Sequence, residues 1–118
     1  MSDTPLHYRT ITELAAMLRA GETTPTSLTE YLLARVEKLN GPLTAFNLVT
    51  ADRAMAEAEA AEALLKSGHD LGPLHGIPYA VKDLYDIVGL PTTAGSRTVD
   101  MTPKTEESEV TKRLAAAG

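Results

Sequence analysis

Apolar residues along most of this chain recur at helical intervals. In "TITELAAMLRAG", Ile11, Leu14 and Leu18 fall on one face with Met17 beside them, the spacing of an amphipathic helix. Thr10 is its expected N-cap, Glu13 completes a capping box, and Gly21 stands where a helix-ending glycine belongs. A second helix is predicted over "TPTSLTEYLLARVEKLNG", with Leu28, Leu32, Val36 and Leu39 sharing a face. Thr24 caps it, Pro25 occupies the first helical position, and Asn40-Gly41 ends it. The short link between the two predicts an antiparallel helical hairpin. The third helix, "TADRAMAEAEAAEALLKSG", carries a narrow stripe of Ala51, Ala54, Ala58, Ala61 and Leu65 between Thr50 and Gly68, with Glu62 and Lys66 as an i, i+4 pair on the wet side. The fourth is "TEESEVTKRLAAAG", acidic at Glu106 and Glu107, basic at Lys112 and Arg113, and stopped by Gly118.

Three stretches break this rhythm. "TAFNLVT" reads as a short strand or extended piece through Phe46, Leu48 and Val49. "GPLHGIPYAVKD" breaks into a strand from about Pro78 to Lys82, and "DIVG" offers another short one. "LPTTAGSRTVDMTPKT" reads as loop. Helices and strands together indicate an α/β protein. In that order a helix closing on glycine should hand over to a strand, and two short strands are too little sheet for so many helices to cover. The expectation is therefore the front part of a longer protein, with no repeat and no linker long enough to divide it.

Composition narrows the function. The chain has 118 residues, 43% of them apolar, which suits a folded domain. Aromatics are sparse, namely Phe46, Tyr8, Tyr31, Tyr79 and Tyr85, so the core must rest on aliphatic side chains and alanine. Eleven Lys+Arg against 16 Asp+Glu give a net charge of −5, which disfavours a nucleic-acid partner. No apolar run is long enough to span a membrane, and "MSDTPLHYRTIT" lacks the layout of a signal peptide, so a cytoplasmic location is expected. There is no cysteine, which removes disulfides, thiolate metal sites and a cysteine nucleophile. Dinucleotide, P-loop, zinc-protease and nucleophile-elbow motifs are all absent. His69, Asp70 and His75 lie close in sequence but without ligand spacing, so no metal site is assigned to them.

One position asks for chemistry. Strand alternation puts Ile77, Tyr79 and Val81 on one face and Pro78, Ala80 and Lys82 on the other. Lys82 thus ends an otherwise apolar run, before a loop rich in Gly and Thr, where α/β proteins gather functional groups. An amine held in apolar surroundings loses its proton more easily and can serve as a base, directly or through a hydroxyl. The other reading is a surface lysine that snorkels or pairs with Asp70, Asp83 or Asp86.

The stretch "GPLHGIPYAVKDLYDIVGLPTTAGS" strongly resembles the N-terminal block of the amidase signature family of serine hydrolases, combining G-P-L-H-G-I-P, an apolar V-K-D and a downstream L-P-T-T-A-G-S. The opening helices, "ADRAMAEAEAAE" and "SEVTKRLAAAG" also fall where that family has them. The resemblance implies an α/β amidase-signature fold, a mixed β-sheet core covered by helices. Residues 1–118 would be the N-terminal part of a single amidase domain, supplying only its first helices and strands. It implies hydrolysis of carbon–nitrogen amide bonds through a Ser–cis-Ser–Lys triad without metal or organic cofactor, and Lys82 matches the catalytic lysine. Ser2, Ser27, Ser67, Ser96 and Ser108 match neither triad serine, so this chain would carry one member of three, the others lying in a Gly/Ser-rich segment downstream. The implied partner is a small-molecule amide, with no membrane and no nucleic acid unless the protein serves a tRNA amidotransferase. A homodimer is left open. Two alternatives stand beside the hydrolase: the A subunit of a glutamyl-tRNA amidotransferase, and a non-catalytic fragment that associates with another chain.

Overall fold

The computed structural model of the chain describes residues 3–118, so Met1 and Ser2, including the start of the N-terminal stretch read above, lie outside the described residues. Two compact units form: one runs up to Pro78 and includes Gly118, and the other is Tyr79–Ala117.

The first unit holds three helices. Helix α1 spans Ile11–Ala20, and its capping box forms as predicted: Thr10 Oγ1 accepts from the Glu13 N–H at 3.2 Å while the Thr10 N–H donates to Glu13 Oε2 at 2.7 Å. Such a cap stabilises a helix by about 1 kcal/mol. Gly21 follows in the left-handed region at φ 72°. Helix α2 spans Pro25–Leu43, with Thr24 capping through the Ser27 N–H at 3.2 Å. It does not stop at Asn40-Gly41 but runs on through Pro42. Asn40 instead brackets the Phe46 backbone with its amide side chain, accepting from the N–H at 2.8 Å and donating to the carbonyl at 3.0 Å. This bracket, rather than a neighbouring strand, pins the 44–50 segment, which forms no strand. Helix α3 spans Ala51–Lys66 and buries Ala58. Thr50 precedes it without making a side-chain cap bond. A 3-10 turn at Leu6–Tyr8, not foreseen from the sequence, is tied to α2 by a 2.6 Å hydrogen bond between His7 Nδ1 and the Tyr31 hydroxyl.

The packed helix pair is α2 with α3, not the α1–α2 hairpin that the short link predicts. Loop residues explain the difference. A Cβ on Gly76 would lie 2.9 Å from Pro25 Cγ and 3.3 Å from Leu18 Cδ1, so the 72–76 loop sits against the end of α1 and the start of α2. Gly76 also has φ 82°, so a side chain there is excluded both by space and by backbone conformation. Leu14, Ala15 and Leu18 of α1, Leu28 of α2 and Ala58 of α3 are the buried apolar residues. Close helix approach is aided by small side chains, as the alanine stripe predicted. Glu62 of α3, expected on the wet side, is mostly covered. It takes the Lys66 ammonium at 2.6 Å and reaches across to α2, where Thr26 Oγ1 donates to it at 2.5 Å.

In the second unit, helix α4 spans Glu109–Ala116 and begins later than predicted, because Ser108 caps it through the Thr111 N–H at 3.3 Å. Glu107 stands outside the helix and accepts from the Val88 N–H at 2.7 Å. The predicted strands at Pro78–Lys82 and in "DIVG" do not form; among the described residues the only ladder element is an isolated parallel bridge between Val88 and Lys104. The mixed β-sheet core expected of the α/β fold is therefore not formed among the described residues, whose regular elements are helical. The physical reason is that Pro78 lacks an N–H and the apolar alternation of 77–81 meets no strand edge here to complete it.

Candidate active site

Lys82 lies in the second unit, in a stretch of turns and bends. Its carbonyl accepts from the Leu84 N–H at 2.7 Å and the Tyr85 N–H at 3.1 Å, so a tight turn, not a strand end, carries it. Its side chain is exposed, contrary to the apolar surroundings that alternation predicted. The expectation failed for the same reason as the strand: burial of Lys82 depended on a sheet face that these residues do not build alone. Apolar residues in the same stretch of chain are exposed too, Tyr79 at 47%, Leu84 at 61% and Val88 at 48%.

Asp70, Asp83 and Asp86, the carboxylates named as surface partners for Lys82, have other partners. Asp70, in the first unit, receives two bonds from Arg19, at 2.7 Å and 2.8 Å, which hold its carboxyl below the usual carboxylate range. Asp83 accepts from the Thr93 N–H at 2.9 Å through Oδ1 and from the Thr93 hydroxyl through Oδ2, while its carbonyl accepts from the Ala94 N–H at 2.9 Å. Asp86 accepts from the Thr92 hydroxyl at 2.7 Å, and its carbonyl takes the Ser108 N–H at 2.8 Å. The two aspartates thus clasp the two threonines of "LPTTAGS" onto the turn that carries Lys82.

That loop needs holding. Ala94 has φ 50°, a left-handed conformation that costs an L-residue about 1–2 kcal/mol. Around it the Gly95 N–H donates to Thr93 Oγ1 at 3.2 Å and the Ser96 N–H to the Thr93 carbonyl at 2.8 Å. Thr93 is the hub, making four of the bonds that define the loop. Sequence reasoning missed these clasps. The signal available was the pair Asp83 and Asp86 three residues apart, followed by the adjacent threonines 92 and 93.

The histidines are structural. His75 is 1% exposed; its Nδ1 accepts from the Leu71 N–H at 3.0 Å and its Nε2 lies 2.9 Å from the Ala61 carbonyl. A backbone donor on one nitrogen and a backbone acceptor on the other assign the neutral Nε2–H tautomer. His69 pairs with the Ser67 hydroxyl at 3.0 Å, so His69, Asp70 and His75 turn to three different partners. No group of three or more metal-ligating side chains occurs among the described residues. Likewise no helix among them is long and apolar enough to cross a membrane. The described serines make local bonds: Ser27 with Thr24, Ser67 with the Leu64 carbonyl, Ser96 with Thr98, and Ser108 as the α4 cap.

Comparison with known proteins bears on this arrangement. The family model described as Amidase matches residues 27–118. The A subunit of the glutamyl-tRNA(Gln) amidotransferase from Chloroflexus aurantiacus is 44% identical over 115 residues, 98% of this chain and 24% of that protein. Its namesake from Halorhodospira halophila is 40% identical over 113 residues, 96% of this chain and 23% of that protein. Among solved structures, a peptide amidase in complex with the competitive inhibitor chymostatin superposes with a TM-score of 0.89 at 30% identity, over 98% of this chain and 24% of its own. A crystal structure of an amidase gives 0.82 at 35% identity, over 93% of this chain and 25% of its own. The chain thus spans about a quarter of the length of the relatives it matches. With the V-K-D turn in place and the family model covering most of its residues, the chain belongs to the amidase family.

Proposed function

We propose that residues 1–118 are the N-terminal part of a single amidase domain, and that the full-length protein breaks carbon–nitrogen amide bonds with Lys82 as its proton acceptor. The observation that carries this reading is the Lys82 turn, fixed after the lysine by backbone hydrogen bonds, in a stretch with exposed apolar side chains within a chain of this family. On this reading the remainder of the domain covers Tyr79, Leu84 and Val88 and brings its hydroxyl partners to the amine.

Two serines from that remainder complete a Ser–cis-Ser–Lys relay. The nucleophilic serine adds to the amide carbonyl as its proton passes to the bridging serine, whose own proton passes to the neutral amine of Lys82. The tetrahedral oxyanion is held by backbone N–H groups, the usual main source of rate enhancement. The Lys82 ammonium then returns its proton through the same relay to the departing amine, the C–N bond breaks, and an acyl-enzyme remains for water to hydrolyse. Lysine suits this role and arginine does not, because the group must lose and regain a proton. The reading calls for no metal or organic cofactor and fits a cytoplasmic protein acting on a small-molecule amide.

The relatives named as amidotransferase A subunits favour a second reading within the same chemistry: glutamine as the amide, with the released ammonia passed to a partner protein. One experiment separates them. The full-length protein is assayed on aliphatic amides, aryl amides, peptide amides and glutamine, with ammonia or amine release measured. Turnover of a simple amide by the lone polypeptide supports the hydrolase. Turnover of glutamine alone, and only with partner subunits, supports the amidotransferase. No C–N cleavage under either condition removes both and leaves a non-catalytic association module.

A further inference from the structure

The clasp between Asp83 and Thr93 goes beyond holding a loop, because Asp83 is the next residue to Lys82 and lies in the same turn. The stretch around the clasp forms no helix or strand, so hydrogen bonds from side chains take over the work of a sheet. The Asp83 carboxylate contributes two of them, from the Thr93 N–H and the Thr93 hydroxyl, and its backbone carbonyl accepts a third bond from the Ala94 N–H. Between the two residues, the Lys82 carbonyl is fixed by the Leu84 and Tyr85 N–H groups. The Cα from which the Lys82 side chain departs is therefore held by a turn after it and, through Asp83, by a loop ten residues further on. Ala94, in its left-handed conformation, persists only because such bonds over-determine it.

We propose that Asp83 is a positioning residue for Lys82: acting through Thr93, its carboxylate sets the place and direction of the lysine stem, and so of the amine. This rests on the reading of Lys82 given above. Misplacement of a catalytic group by about 1 Å costs roughly 100-fold in rate. Loss of Asp83 should therefore lower kcat by about that factor and leave KM nearly unchanged, because the group positions the base and does not bind the amide.

The test uses the full-length protein and compares kcat, KM and the pH profile of kcat for Lys82→Ala, Asp83→Ala, Asp83→Asn, Thr93→Val and the Asp83→Ala/Thr93→Val double variant. Asn keeps an acceptor for the Thr93 N–H and can donate to the hydroxyl, so Asp83→Asn should retain kcat within about tenfold. Thr93→Val keeps the backbone bond and should lose about tenfold. The double variant should be no slower than Asp83→Ala alone, since both act through one clasp. The pH profile of Asp83→Asn should keep the wild-type limb assigned to Lys82, while that of Asp83→Ala should shift. If Asp83→Ala does not fold, Asp83→Asn and Thr93→Val carry the same test: wild-type kcat in Thr93→Val overturns the inference. Additive losses in the double variant, or a KM increase with kcat unchanged, also overturn it. If Lys82→Ala itself keeps wild-type turnover, the reading of Lys82 falls first and this inference with it; if Lys82→Ala is dead while Asp83→Ala is unimpaired, only the inference falls.

Discussion

Individual residues divide into those whose role is written locally and those whose role depends on distant partners. Lys82 was legible as a candidate because an ammonium ending an apolar run is unusual and because the residues around it match a family block. Its exposure was not, since alternation says which face a side chain takes but not what covers that face. The clasps of Asp83 and Asp86 on Thr93 and Thr92 were hidden for another reason: partners ten and six residues apart follow no secondary-structure period. Two predictions belong at this scale. Gly76→Ala should destabilise the first unit by about 2–3 kcal/mol, since its new Cβ meets Pro25 at 2.9 Å and φ is positive; chemical denaturation checks it. Ala94→Gly should act in the opposite sense, relieving a left-handed alanine and stabilising the 92–96 loop by about 0.5–1 kcal/mol after the added chain entropy of glycine, read as slower amide hydrogen exchange there.

Helices were readable because their caps and apolar spacing are local. Thr10, Thr24 and Ser108 start α1, α2 and α4 by side-chain bonds over three residues, although the sequence pattern puts Ser108 inside its helix rather than at the start. Strands were not readable as such: the β-like pattern at 77–81 is a demand for neighbours, and the described residues form no sheet to meet it. Helix pairing failed similarly: α2 packs on α3, and the loop at Gly76 sits against Leu18 of α1 and Pro25 of α2, contacts that local spacing does not reveal. The α2–α3 pair carries a pH prediction. The Glu62 carboxyl is lowered from its ordinary 4.5 to about 2, first by the Lys66 hydrogen bond and then by that of Thr26. A depressed carboxyl binds fewer protons in the folded state, so its contribution is fully present above about pH 4.5 and is lost as pH falls toward 2. Glu62→Gln should therefore flatten the stability profile of the α2–α3 pair across that window. An unchanged slope between the two proteins would show that Glu62 does not couple these helices.

At the scale of the molecule, a small buried set of Leu14, Ala15, Leu18, Leu28 and Ala58 stands against many exposed large apolar side chains, from Leu43 and Leu48 to Leu84 and Met101. Native chains seldom leave that much apolar surface uncovered when it has a partner to bury it. The 118-residue chain alone is therefore expected to bind a hydrophobic dye, to melt over a broad range, and to release nothing from amides, whereas the full-length protein should melt sharply. A sharp two-state melt of the isolated chain without dye binding would contradict this. The most direct measurement of the central claim is kcat for amide cleavage by the full-length protein carrying Lys82→Arg, compared with wild type. A residue that must take up and return a proton predicts a loss of at least about a thousand-fold, because arginine keeps its charge. Turnover within about tenfold of wild type would show that Lys82 acts only as a positive charge, and would contradict the account.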